Sequence, residues 1–462
     1  MSAAPSRVKF ILNPSKGRIR YIGLRSSVDT HVRLEEREMK MNKAAENIAP
    51  FRVGEWLPSD HAILETWMET LIRESEAEKK PLHPVIEDFK ALIENDPEIF
   101  MLFNLMFEQV PKKPPYNKDP TGKPQVRDYR HMLQLVNAIM TKAPAFNKTG
   151  LVGFPINAIF DWSMGTTGGF AAFLNAKVNA QLKEILNEWS RFLGSPDSRY
   201  VLSKDPHSGW FGEDARKAMP DFDKEFQCDP SQPHHGFKSW DDFFIREFRP
   251  GVRPIASPED DAVIVNACES APYKIAHHVK RHDRFWIKSQ PYSLEHMLAN
   301  DSFTDRFVDG TIYQAFLSAL SYHRWHSPVS GRVIKAYVRD GSYYSEALSE
   351  GFDPAGPNDS QGYITEVATR AMIFIEADNP DIGLMCIMTV GMAEVSTCQI
   401  TVYEGQHVKK GDQIGMFHFG GSTHCLIFGP HVKLDFDLHG QKPSLDSSNI
   451  PVNSRIATVV GK

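Results

Sequence analysis

Apolar positions along the chain follow two periods, and the change from one to the other divides it. From about residue 51 to 225 they recur every three to four residues, the spacing of one helix face. Ile63, Trp67 and Leu71 form one stripe, with Ser59 or Asp60 placed to cap it. Val85, Phe89 and Leu92 form a second, and Met132, Leu135, Val136, Ile139 and Met140 a third. A long fourth helix is predicted through Phe170, Leu174, Val178, Ile185, Trp189 and Phe192, with Gly194 placed to stop it. Such stripes read as core-facing surfaces. A loop rich in Pro and Lys, 111 to 123, separates the second stripe from the third.

From about 226 the pattern shortens. Runs rich in Val, Ile, Tyr and Phe alternate with Gly, Asp and Asn turns: DAVIVNA, GRVIKAYVRDG, AMIFIEADN, GLMCIMTVG, CQITVYEG and DQIGMFHF. These read as strands joined by hairpins. GRVIKAYVRDGSYY and ITVYEGQHVKKGDQIGMF each look like strand, turn and strand. The expected fold class is therefore α+β: a basic tail over 1–50, a helical domain over 51–225 and a β-rich domain over 226–462.

Bulk composition narrows the function classes. A net charge of -6 offers no basic face for nucleic acid. The run Leu384 to Val390 is too short to span a bilayer and reads as a buried strand. Five scattered cysteines without a CxxC pair argue against a zinc site or a disulfide framework and for a reducing, cytoplasmic setting. The first 43 residues hold ten Lys/Arg against four acids, yet the cluster Glu35-Glu36-Arg37-Glu38 argues against a transit peptide.

Three short segments carry candidate chemistry. Gly420-Gly421-Ser422-Thr423 follows a strand, and a serine held in a tight glycine turn can attack its own preceding carbonyl. Tyr322-His323-Arg324-Trp325-His326 sets two histidines three apart, and a neutral imidazole can take a serine proton. Glu269, in Asn266-Ala267-Cys268-Glu269-Ser270, is a carboxylate able to orient an imidazole. Each segment alone also fits an ordinary turn, with the histidines bonded locally and Glu269 solvated.

Taken together and in this order, the segments resemble the phosphatidylserine decarboxylase family. SYHRWHSPVSG is similar to that family's YHRxHxPxxG segment, FHFGGST to its self-cleaving LGST motif, and WDDFFIREFRPGVRP to the stretch before its catalytic core. The resemblance covers roughly 226 to 430. Two departures stand out: Gly420 replaces the usual leucine, and Glu269-Ser270 replaces an Asp-Gly pair. With the helical region and segments such as MIFIEADNPDIGL and GMAEVSTC, they resemble a soluble fungal branch that includes L-tryptophan decarboxylases.

The resemblance implies a sequence of events. Ser422 attacks the Gly421 carbonyl, with His326 taking its proton and Glu269 orienting His326. The chain breaks between 421 and 422, and Ser422 becomes a covalent pyruvoyl group. The two cleaved chains stay associated. His323 then returns a proton to the α-carbon of a small amino-acid substrate, expected to be L-tryptophan, after carbon dioxide leaves. No metal is implied. Two alternatives remain: the same chemistry on phosphatidylserine at a membrane surface, and a non-enzymatic biotinyl- or lipoyl-like carrier, which the hairpin around Lys409 and Lys410 suggests by fold analogy alone.

Overall fold

A computed structural model describes residues 61–78, 80–110, 126, 128–146, 154–283, 292–317, 320–347, 360–394, 397–419, 422–444 and 447–461. The basic tail, the Ser59/Asp60 cap, the 111–123 loop and the Gly420–Gly421 turn lie outside these residues.

The fold is α+β. Among the described residues, seven helices of eight residues or more precede the strands: α1 (His61–Ala77), α2 (Pro84–Asn95), α3 (Pro97–Glu108), α4 (Tyr129–Ile139), α5 (Pro155–Met164), α6 (Thr167–Leu174) and α7 (Ala176–Leu193). The expected stripes of α2 and α4 are largely inward, although α2 buries Ile86, Phe89 and Ile93 and leaves Val85 and Leu92 only partly covered. The predicted long helix through Phe170 and Phe192 is instead two. Asn175 ends α6 in extended backbone and caps α7, its side chain accepting from the Lys177 and Val178 N–H groups. That cap competes with helix continuation, and the apolar stripe runs across it unbroken, which hides the break from periodicity. Helix α3 is an element the stripes did not reveal. Asp96 caps it from the Glu98 and Ile99 N–H groups, and Pro97 opens it.

Among the described residues thirteen strands follow: β1 (Val263–Val265), β2 (Ala271–His277), β3 (Thr311–Leu317), β4 (Arg324–His326), β5 (Gly331–Arg339), β6 (Arg370–Ala377), β7 (Leu384–Gly391), β8 (Thr397–Ile400), β9 (His407–Val408), β10 (Gln413–His418), β11 (Ser422–Phe428), β12 (Leu434–Phe436) and β13 (Arg455–Val459). Seven form one antiparallel sheet in the order β2-β3-β11-β7-β6-β5-β9. Two three-stranded sheets, β1-β13-β12 and β4-β10-β8, accompany it. The predicted hairpin in ITVYEGQHVKKGDQIGMF is present as β8 paired with β10, with β9 leaving to join the large sheet. GRVIKAYVRDGSYY is not a hairpin: β5 pairs with β6 and β9, and beyond it only Ser342 makes a single bridge, to Ala368. Tyr343 and Tyr344 bury their rings in the helical core instead of pairing as a strand.

Two apolar cores result. One fills the large sheet, where β7 is buried along its whole length. The other joins the helices, and Tyr322, Tyr344, Ala393 and Phe419 enter it from the strand-rich half. A short helix, α8 (Trp240–Phe244), lies at the junction. Ser239 caps it, and its Asp241 accepts from His418 Nδ1 at 2.9 Å.

Candidate active site

Strand β11 is the element that places Ser422. All seven of its residues pair on both sides, with Ser422 opposite Leu317 of β3 and Gly391 of β7. The strand start is thus fixed from two directions. Beyond the β7–β11 ladder the chain passes through a residue of positive φ on each side, Ala393 at 55° and Phe419 at 51°. Such backbone costs a non-glycine residue about 1–2 kcal/mol, so packing must hold it. Phe419 meets Trp189 and Trp240 edge-on, each at a centroid distance of 4.7 Å, with Phe154 at 6.1 Å.

His323 lies beside this clamp. It is fully buried and its ring stacks on Phe244 at 4.0 Å, while Phe244 in turn packs against Phe419. The His323 carbonyl accepts from the Phe417 N–H, so the histidine is tied to the strand leading into the Gly-Gly-Ser turn.

His326 sits at the end of β4. Its Nδ1 is 2.7 Å from the Gly411 carbonyl and its Nε2 is 2.9 Å from the Tyr322 hydroxyl. A carbonyl can only accept, so Nδ1 carries the proton, and the neutral ring leaves Nε2 to accept from Tyr322. Loss of surrounding water pulls the His326 pKa below its ordinary value, partly offset by the Gly411 carbonyl.

Glu269 is brought near these residues but not onto the imidazole. The expected Glu269–His326 contact is absent among the described residues. Arg253 grips the carboxylate through Nε and Nη2, the latter at 2.8 Å, and the Val452 N–H donates to Oε2 at 2.8 Å. A bidentate guanidinium outcompetes an imidazole for a carboxylate, and the Gly411 carbonyl has taken over the orienting bond. The segments are nevertheless neighbours: the His326 N–H donates to the Ala267 carbonyl, two residues before Glu269. Glu269, Arg253 and Tyr322 line one cleft of about 370 Å³ together with Glu225, Phe248 and Asn449.

A family model described as phosphatidylserine decarboxylase matches residues 240–446, and a second with the same description matches 83–219. The chain is 39% identical to an L-tryptophan decarboxylase of Psilocybe cyanescens over 81% of this chain and 88% of that protein. It is 40% identical to an L-tryptophan decarboxylase of Psilocybe cubensis, covering 74% and 79%. It is 43% identical to the decarboxylase iboD of Amanita muscaria, covering 62% and 86%.

The chain belongs to the phosphatidylserine decarboxylase family.

It is accordingly an enzyme of the carboxy-lyase class, and the family it joins is pyruvoyl-dependent. Among the described residues no helix is long and apolar enough to cross a membrane. The Gly420–Gly421 turn and the Ser422 side chain, which the family motif singles out, fall outside the described residues.

Several roles at this family member's site carry no signal in periodicity or motif: Tyr322 and Arg253 lie inside the motif segments, but their partners are not written there. Tyr322 is the neighbour that satisfies His326 Nε2, and Arg253 the one that holds Glu269. His424 stands two residues after Ser422 on the same strand face, and burial pushes its pKa down to about 3, so its ring stays neutral. Glu394 follows β7 by three residues and is buried. Burial distinguishes the last two, and sequence does not display burial at single positions. Away from the site, Asp223, Cys228 and His235 bring potential ligand atoms within 4.8 Å of one another. The Arg249 guanidinium, bonded to the Cys228 carbonyl, would oppose a cation there.

Proposed function

We propose that this protein decarboxylates a free aromatic L-amino acid, most plausibly L-tryptophan to tryptamine, using a pyruvoyl group made from its own Ser422. The observation that carries the reading is the setting of Ser422. It opens a strand locked between β3 and β7, at the point where Phe419 is held in left-handed backbone by aromatic packing. Identity of about 40% with two L-tryptophan decarboxylases over most of both chains supports the substrate class.

In the self-cleavage step, the Ser422 oxygen bonds to the Gly421 carbonyl carbon as the Gly421–Ser422 amide breaks, leaving an ester; β-elimination then breaks the ester C–O bond and frees the Gly421 carboxylate, and water replaces the Ser422 nitrogen, which leaves as ammonia, to give the pyruvoyl group. His326 holds the neutral form needed to take the serine proton at Nε2, which Tyr322 presently occupies. Tyr322 therefore shifts or relays that proton. Glu269 is a positioning residue: burial above all, and the nearby Glu269 charge to a smaller degree, favour the neutral Tyr322 phenol, and Arg253 holds the carboxylate in place. The site fits the group that results, because the strand that would carry it is anchored on both edges.

The pyruvoyl ketone supplies an electron sink for the pair released as carbon dioxide leaves. His323, buried and stacked on Phe244, delivers a proton to the substrate α-carbon. The aromatic surroundings exclude water, which limits competing protonation. Residues 422–462 remain with the larger chain because β11 lies inside the sheet.

Incubation of purified protein with L-tryptophan should yield tryptamine, with ethanolamine-lipid formation from phosphatidylserine vesicles far slower. Lipid turnover without tryptamine would replace the substrate; no cleavage at 421–422 in an active preparation would remove the mechanism.

A further inference from the structure

Lys410 stands in the turn between β9 and β10, yet its side chain is turned inward. The residue is only 3% exposed, and lysine is seldom buried without partners. Its Nζ donates to the carbonyls of Ser257 at 2.8 Å, Asp260 at 2.6 Å and Val263 at 3.0 Å. An ammonium has three N–H donors, and all three are used. The acceptors lie 147 to 153 residues away in sequence, in the loop that leads into β1 and on the first residue of that strand. Of the two hairpin lysines that suggest a carrier by analogy, Lys410 is thus an inward anchor. Burying an ammonium is costly even when it is paired, so filling space explains it poorly.

What the anchor holds is the turn itself. The Lys410 N–H donates to Ser330 Oγ at 3.2 Å. The Gly411 N–H donates to the Ser327 carbonyl at 2.8 Å, and the Ser327 N–H donates to the Asp412 carbonyl at 2.7 Å. Gly411 has a φ of 85°, and a Cβ there would come within 2.4 Å of Ile255 Cδ1. The turn therefore passes through backbone that suits glycine. Its product is one carbonyl, that of Gly411, placed 2.7 Å from His326 Nδ1. The bond on one ring nitrogen decides which of the two carries the proton. A neutral imidazole released from such a bond favours the proton on Nε2, where the ring can no longer accept.

We propose that Lys410 is a positioning residue for His326: its ammonium, fixed on the Ser257, Asp260 and Val263 carbonyls, holds the Gly411 carbonyl against His326 Nδ1 and so keeps Nε2 an acceptor. This deepens, and rests on, the reading of His326 as the group that takes the serine proton. The effect passes through one peptide, from the Lys410 side chain to the carbonyl of the next residue. The charges that act on the ring itself are Arg324 and Asp412.

The test compares Lys410→Met with Lys410→Arg, which keeps a cation and donors for the loop carbonyls. Each is also made with Ser422→Ala, so that the chain stays uncut, and the His326 ring nitrogens are followed by 15N NMR, assigned by their loss in His326→Gln. With Lys or Arg at 410 the proton should sit on Nδ1; with Met it should move largely to Nε2 or exchange between the two. In the chain that retains Ser422, Lys410→Met should slow fragment appearance by at least about tenfold at a temperature where it is folded, and Lys410→Arg should restore most of the rate. Should Lys410→Met not fold, Lys410→Gln, which keeps an amide donor but is too short to serve three carbonyls, takes its place with the same expectation. A folded variant that keeps the proton on Nδ1 would overturn the assignment even if cleavage slowed, because the loss would then reflect a loosened fold alone. A displaced proton with unchanged cleavage would instead strike His326 from the proposed function and leave the positioning by Lys410 standing.

Discussion

Phe419 and Trp240 pack edge to face at 4.7 Å, and through this contact the helical core grips the residue before the Gly420–Gly421 turn. The strand on the far side of that turn is gripped by the sheet. The proposed scissile bond at 421–422 thus has an anchored residue on each side, Phe419 and Ser422, and such anchoring favours attack geometry. Phe419→Ala removes the anchor. Stability should fall by about 3–5 kcal/mol, as for other buried aromatic truncations. Self-cleavage should slow by at least about tenfold at a temperature where the variant is still folded. Fragment appearance followed by mass spectrometry, beside a urea titration, separates the two effects; unchanged cleavage would show that the clamp serves stability alone.

Ser422→Ala should remain a single chain and form no tryptamine. In the wild type a 41-residue fragment, 422–462, should co-elute with the larger one on size exclusion and part from it only in denaturant. That fragment contributes β11, β12 and β13, and β11 alone pairs along its whole length with two neighbours. Native separation of the fragments would contradict the sheet topology.

Much of this arrangement was legible in the sequence, and the exceptions have physical causes. The strand runs around β6, β7 and β10 were predictable because they are almost wholly apolar and bounded by turn residues. The α6–α7 break was not, since a cap at Asn175 leaves the apolar spacing intact. The motif order located His323, His326 and Glu269, and the fold does bring their segments together. What the motif could not convey is who bonds whom. Arg253 and Val452 claim Glu269, and Gly411, 85 residues from His326, claims its imidazole. Those partners arise from long-range folding, and two are backbone groups, which every residue carries.

The Tyr322–His326 pair makes the acid limb of processing a direct probe. Because loss of water depresses the His326 pKa, the ring stays neutral below the ordinary histidine range, and cleavage should persist at pH values somewhat under 6.5. Tyr322→Phe removes the donor that favours the neutral ring. The cleavage rate should fall by about tenfold or more, and its acid limb should move to higher pH. His326→Gln should abolish cleavage. A Tyr322→Phe profile superimposable on wild type would exclude the hydroxyl from the proton path.

Glu269 and Arg253 form a partly buried ion pair whose value is separable from chemistry. Glu269→Gln should destabilise by about 2 kcal/mol, and a double-mutant cycle with Arg253→Met should return a coupling of about 1–3 kcal/mol. Cleavage should continue in Glu269→Gln, because the Gly411 carbonyl still orients His326. An intact chain in this variant, folded and coupled as expected, would instead make the carboxylate a direct participant.

Asp161 provides a pH test of stability remote from catalysis. It lies on α5 one turn beyond Asn157, buried, with Oδ1 unpartnered among the described residues, and burial pushes its carboxyl up to about 7. A raised folded pKa means that the unfolded chain gives up the proton first. Its contribution to stability is complete below about 3.8, the unfolded value, and is lost as pH rises through about 7. Above that point the ionised carboxylate in the core should cost on the order of a few kcal/mol. Glu394 and Glu366, each pushed up to about 8 by burial, act in the same direction at slightly higher pH. Wild type should therefore lose thermal stability between about pH 4 and 8. Asp161→Asn cannot ionise, so its melting temperature should fall less across that interval and exceed that of wild type at pH 9. Parallel curves for the two proteins would mean that Asp161 is partnered and ionised in the folded state.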